Sequence, residues 1–128
     1  MRVLLDTHAF VWWLEGSPRL SRRARSVLER EGNEIFVSAA TAWEITTKAR
    51  LGRLPFATDV AADVFGAIVG QGFHPLDITT VHAQRAGWLP GHHADPWDRM
   101  LIAQAQAEGL AVVSNETRFD EYGITRVW

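Results

Sequence analysis

The chain has 128 residues, a formal charge of −2 from 13 basic and 15 acidic side chains, and no cysteine. That length accommodates one domain, residues 1–128, with a core that needs no staples, and the missing cysteines exclude disulfide frameworks, thiolate nucleophiles and cysteine zinc sites. The near-neutral charge argues against binding nucleic acid by bulk charge alone.

Val3-Leu4-Leu5 reads as a short, fully buried strand ending at Asp6-Thr7. Its apolar surroundings, residues 3–14, are interrupted by Asp6 and His8 and fall well short of the ~20 residues of a membrane span. A signal peptide wants a basic start, a clean apolar stretch and a small-residue cleavage site, but here the first acid arrives at position 6, so a cytoplasmic location is expected. A helix starts at Thr7 and runs to about Glu15, before the breaker Gly16-Ser17-Pro18. Ser21 suits the N-cap of a helix to about Arg30, with Leu20, Ala24, Val27 and Leu28 on one face. Ile35-Phe36-Val37 is a second buried strand, and Ser38 caps a helix over 39–50 that Gly52 ends.

A weaker helix is expected over residues 58–71, a short strand over 73–76, and a helix from Thr79 or Thr80 to about Gly87. Residues 96–108 form the clearest helix, with Asp95 before it, Pro96 at its first position and Gly109 after it. Ala111-Val112-Val113 is a buried strand, a helical turn falls near Arg118, and a last strand covers 124–127. Short apolar strands alternating with helices predict an α/β sandwich around a mainly parallel sheet. Such sheets bind ligands at the carboxyl ends of their strands. The residues that matter most are therefore Asp6, Thr7, Ser38 and those from Ser114 to Glu116.

Several α/β chemistries are missing. No glycine-rich dinucleotide turn, P-loop or nucleophile elbow occurs. His8 stands where a phosphoaspartate phosphatase needs a second Asp, and the one lysine, Lys48, is misplaced for a receiver domain.

Four acids remain in informative places: Asp6 after the first strand, Glu44 on the Ser38 helix, Asp98 in the first turn of the Pro96 helix, and Glu116 after the Val112 strand. Each has an ordinary structural reading. Asp6 can cap the first helix, Glu44 can pair with Lys48 at i, i+4, Asp98 can face a helix dipole behind the Asp95 cap, and Glu116 can be a turn residue. Together they point elsewhere, because two carboxylates ~4 Å apart repel by about 4 kcal/mol at an effective dielectric near 20. A cluster of them raises its own pKa values or recruits a cation. Oxygen donors without cysteine favour Mg²⁺ or Mn²⁺, and such an ion makes a nucleophile of water and stabilises charge on a phosphate. Thr7 and Ser114 are small hydroxyl residues suited to supporting the acids.

Val-Leu-Leu-Asp-Thr-His-Ala-Phe at the start, Ser-Ala-Ala-Thr-Ala-Trp-Glu-Ile, His-His-Ala-Asp-Pro-Trp-Asp-Arg-Met-Leu-Ile-Ala-Gln-Ala and Gly-Leu-Ala-Val-Val-Ser-Asn-Glu follow one another along the chain. Together these segments resemble PIN-domain ribonucleases, and within them VapC-type toxins of type II toxin–antitoxin modules. The resemblance runs from Met1 to Trp128. It implies a PIN-like three-layer sandwich with helices on both faces of the sheet. It also implies a Mg²⁺- or Mn²⁺-dependent endoribonuclease, usually a homodimer, held inactive by a cognate antitoxin. The family's acidic positions fall on Asp6, Glu44 and Asp98; the fourth, commonly Asp, is Glu116 here, one methylene longer. Asp95 belongs to the Asp-Pro-aromatic-Asp segment and is read as the helix cap.

In this reading the four acids are the metal-binding and catalytic residues, with Glu116 supporting. Arg99 and Arg118 are the arginines nearer the site, and Arg99, beside Asp98, is the preferred contact for RNA phosphate or for neutralising the acids. The arginines between Arg19 and Arg30 offer either an RNA patch or a solvated helix face. His92-His93 read as loop residues rather than zinc ligands, and His8 is a weaker general-acid candidate. The six tryptophans read mainly as core or interface residues, and Trp12-Trp13 on one short helix are expected to leave a ring exposed for a dimer or antitoxin contact. Two rival readings are a Mg²⁺-dependent phosphoryl hydrolase of another substrate and a non-catalytic module that keeps the fold.

Overall fold

Strand β1 (Arg2–Leu5) lies at the centre of a five-stranded sheet, paired in parallel with β2 (Glu34–Ser38) on one side and β4 (Ala111–Val113) on the other. β3 (His74–Leu76) extends the sheet beyond β2, and β5 (Arg126–Val127) beyond β4. The order is therefore β3-β2-β1-β4-β5, and every pairing is parallel. The computed structural model describes residues 1–55, 59–91 and 95–128.

The pleat explains the apolar strand runs. Val3, Leu5, Ile35, Val37, Val113 and Val127 point to one face, and Leu4, Phe36 and Val112 to the other. The first face is covered by α1 (Thr7–Glu15), α2 (Arg22–Glu29) and α4 (Val64–Gly70). The second is covered by α6 (Pro96–Glu108), through Leu101, Ile102 and Ala105, and by Phe119. α3 (Ala39–Arg50) serves both cores, with Ile45 in one and Ala40 in the other. α5 (Thr80–Trp88) packs on α6. Helices on both faces make the three layers, and no described helix is long and apolar enough to cross a membrane.

Local chemistry sets the helix ends. Asp6, Ser21, Ser38, Thr79 and Asp95 each accept a backbone N–H as N-caps. Gly16 and Gly109 follow α1 and α6 with φ of 64° and 65°, the left-handed turn that lets the last carbonyls find partners. The expected 58–71 helix is instead a short 3₁₀ turn, Val60–Ala62, followed by α4. Asp63 causes the break: its carboxylate caps Gly66 N at 2.9 Å and restarts the helix. The expected strand over 73–76 begins one residue later, and the one over 124–127 is confined to Arg126–Val127. Phe73 and Ile124 are packed into the two cores.

The chain steps outward from β1 to β2 and β3, then returns to the other side of β1 for β4 and β5. The direction of winding reverses between β1 and β4. Open α/β sheets present a ligand crevice at such a point, beyond the strand carboxyl ends.

Candidate active site

Asp6 follows β1 directly, and its Oδ1 accepts the Ala9 N–H at 2.7 Å. Glu116 follows β4, and its N–H donates to Ser114 Oγ at 2.9 Å. The Ser114 side chain is also close enough to the Asp6 carboxylate to hold its pKa down. One fully buried serine thus stands between the two strand ends at the switch point. α3 brings Glu44 to the same place and α6 brings Asp98. Asp6, Glu44, Asp98 and Glu116, together with Asp95, line one cleft of about 180 Å³.

The carboxylates differ in environment. Asp6 is 4% exposed, and burial pushes its pKa up to about 7. Hydrogen bonds from Ser114 and Ala9 oppose that rise, while the charges of Asp98 and Glu116 add to it. Glu44 is buried with its two oxygens divided: Oε1 accepts from Thr7 Oγ1 at 2.7 Å and Oε2 from Lys48 Nζ at 2.5 Å. The Lys48 ammonium also sits over the Trp97 ring, 5.6 Å from its centroid. Arg118 bridges two elements: its Nη1 lies 3.2 Å from Asp98 Oδ2, and its Nη2 pairs with Glu116 Oε2. Burial alone would lower the Arg118 guanidinium; the Glu116 hydrogen bond and the charges of Asp98, Glu116 and Asp95 raise it instead.

Among the described residues, no three His, Cys, Asp or Glu side chains converge closely enough to ligate one ion. The convergent acid cluster expected from the sequence is therefore a looser set, with Glu44 drawn onto Lys48 and both Asp98 and Glu116 onto Arg118. The donor chemistry still suits a hard cation. Five carboxylates line the cleft against Lys48 and Arg118, and the raised Asp6 pKa comes first from burial, with the charges of Asp98 and Glu116 adding to it.

Thr7 lines the cleft and orients Glu44. Arg99 does not line it: its Nε and Nη2 donate to Ala86 O at 3.2 and 2.8 Å, and Nη2 to Leu89 O at 2.7 Å. It satisfies carbonyls at the end of α5 rather than facing the acids. Asp95 is the α6 cap, accepting Trp97 N and Asp98 N at 2.9 and 3.2 Å. The Arg118 bridge and the Thr41 hydroxyl behind Thr7 were not foreseen; both join segments far apart in the chain.

His8 lines the cleft. Trp12 is buried, and Trp13 is only partly open to solvent. Trp12 lies beside Trp128, and Trp13 is held by Phe73 and by a 3.0 Å bond from Nε1 to Gln71. The exposed tryptophans are Trp43 and Trp88. Arg19, Arg22, Arg23 and Arg30 are exposed. His92 and His93 lie outside the described residues.

The PIN domain family model matches residues 3–124. The chain belongs to the PIN-domain family. No match is found among curated proteins. Solved structures share the PIN fold over nearly the whole chain. VapBC2 from Rickettsia felis bound to a promoter DNA fragment has 15% identity and a TM-score of 0.65, covering 98% of this chain and 97% of that one. VapBC from Salmonella typhimurium, bound to DNA, has 21% identity and a TM-score of 0.62, with coverage of 98% and 96%. A toxin–antitoxin complex from Klebsiella pneumoniae has 19% identity and a TM-score of 0.57, with coverage of 91% and 88%.

Proposed function

We propose that this PIN domain is a divalent-metal-dependent endoribonuclease, the cytoplasmic toxin of a toxin–antitoxin module. The observation that carries the reading is the gathering of Asp6, Glu44, Asp98 and Glu116 in one cleft at the β1/β4 switch point. Family membership and the likeness in fold to VapBC and toxin–antitoxin complexes support it.

Asp6, Glu44 and Asp98 would hold Mg²⁺ or Mn²⁺ by closing on the ion, since in its absence no three of the described acids converge closely enough to ligate it, with Glu116 in support. Bound there, the ion supplies a water-derived nucleophile at neutral pH and stabilises charge on the scissile phosphate. The chain's own residues do the positioning. The Ala9 N–H holds Asp6, Ser114 holds the Glu116 backbone beside it, and Thr7 fixes one oxygen of Glu44. The burial that raises Asp6 when no cation is near is the same burial that strengthens its attraction for one. A cognate antitoxin and a second copy of the chain are the expected protein partners.

The test is cleavage of single-stranded RNA. Activity is expected to require Mg²⁺ or Mn²⁺ and to be lost with chelator and in Asp6→Ala and Asp98→Asn. Cleavage that survives both substitutions without metal sinks the mechanism. Transfer RNA, DNA and a phosphomonoester in the same assay fix the substrate class.

A further inference from the structure

We propose that Arg118 is a built-in counter-cation that competes with the divalent ion for Asp98 and Glu116, and so sets the ion concentration at which the site loads. The inference rests on reading the cleft as a divalent-cation site. The two acids come from different elements, α6 and the loop after β4, and a single guanidinium spans them. The oxygens it engages, Asp98 Oδ2 and Glu116 Oε2, carry lone pairs that a cation entering between these acids would draw on. A guanidinium and a divalent ion repel, and neither is screened well in a cleft where Asp98 is 18% exposed at its side chain. Occupation by one therefore opposes occupation by the other.

Arg118 is built to leave. Its side chain is 39% exposed, and it stands in the short 3₁₀ segment Thr117–Tyr122 beside solvent. Lys48 is not equivalent: it pairs with Glu44 within one helix and is further anchored over Trp97. Binding of an ion would release the guanidinium at the mouth of the cleft, where an RNA phosphate arrives, and Arg recognises phosphate by paired N–H donors.

The experiment is calorimetric titration of Mn²⁺ into the wild-type chain, Arg118→Gln and Arg118→Lys, with melting temperatures recorded in chelator and in saturating Mn²⁺. Competition predicts that Arg118→Gln binds Mn²⁺ about tenfold more tightly, the scale of two partly exposed ion pairs withdrawn. It also predicts a lower melting temperature for Arg118→Gln in chelator, and convergence of the two proteins in Mn²⁺. Arg118→Lys should fall between them, since one ammonium bridges both acids poorly. If the wild-type chain binds Mn²⁺ and Arg118→Gln binds it equally or more weakly, the competition is refuted and the cation site stands. If neither binds Mn²⁺, the cation-site reading fails and this inference falls with it.

Discussion

Thr7 Oγ1 lies 2.7 Å from Glu44 Oε1, joining the first turn of α1 to the middle of α3. Thr7 also lies 3.2 Å from Thr41 Oγ1. A hydroxyl has one proton, so the shorter contact to a charged acceptor takes it, and Thr41 donates to Thr7 in return. This chain fixes one Glu44 oxygen while Lys48 fixes the other. Thr7→Val keeps the shape but leaves Glu44 Oε1 short of a donor and the buried Thr41 hydroxyl short of an acceptor. It is expected to cost about 1–3 kcal/mol in urea unfolding and to weaken Mn²⁺ binding, whereas Thr7→Ser should retain most of both. Unchanged unfolding and titration in Thr7→Val would show that Glu44 is held by Lys48 alone.

Asp6 makes stability depend on pH. Burial holds its carboxyl up at about 7 in the folded chain, against an ordinary value of 3.8. Between those values the folded state holds a proton that the unfolded state has released, so the Asp6 contribution to stability falls as pH rises from about 4 to about 7 and is flat above. The shift corresponds to about 4 kcal/mol as an order of magnitude. Asp6→Asn keeps an oxygen for the α1 cap and has no charge to desolvate. In chelator, it should match the wild-type chain near pH 4 and exceed it at pH 8. Mn²⁺ should raise the wild-type melting temperature most at pH 8 and leave Asp6→Asn nearly unmoved. Parallel pH profiles for the two proteins would mean that Asp6 ionises normally in the folded state.

What was legible in the sequence was what neighbours in the chain decide. Val3-Leu4-Leu5 announces a strand buried on both faces, and Asp95-Pro96 announces a helix start. The Glu44–Lys48 pair follows from helical spacing. Parallel topology sends Asp6 and Glu116, which follow strands, to one edge, whereas Glu44 and Asp98 lie on helices and were picked out by the family resemblance. Tertiary choices were not legible. Nothing local tells that Trp12 meets Trp128 at the far end of the chain, that Arg99 turns to α5 carbonyls, or that Arg118 spans two acids. The 3₁₀ break before α4 depends on one capping bond of Asp63, which competes closely with a continuous helix.

Gln104 is fully buried on α6, and a polar side chain there needs partners. Its Oε1 accepts from Ser38 Oγ at 2.5 Å, and its Nε2 lies 3.3 Å from Asp77 O. His82 completes the group: its Nδ1 accepts the Thr79 N–H at 3.0 Å, which leaves the proton on Nε2, 2.8 Å from Glu108 Oε1. Gln104→Leu strands the Ser38 hydroxyl and is expected to cost about 2–4 kcal/mol. The double variant Ser38→Ala, Gln104→Leu should cost less than the two single losses added, since the stranded hydroxyl is gone. Neither residue lines the carboxylate cleft, so Mn²⁺ affinity should hold in whatever fraction remains folded.

Trp43 and Trp88 are 63% and 87% exposed on α3 and α5, and Val81 of α5 is 59% exposed. Trp43 also borders an apolar hollow of about 250 Å³ that includes Ala86, Gly87 and Met100. The proposed homodimer is expected to use these exposed rings rather than Trp12 and Trp13. In a two-fold dimer each substitution acts twice. Loss of two central tryptophans costs at least about 4 kcal/mol, a thousandfold in dissociation constant. Trp88→Glu and Trp43→Glu should therefore run as monomers in light scattering at concentrations where the wild-type chain is dimeric, with unchanged circular dichroism. Trp88→Glu is the cleaner of the two, because Trp43 precedes Glu44 and its loss also disturbs the Trp97 and Lys48 contacts behind the cleft. A dimer that persists in both variants would move the interface to another face.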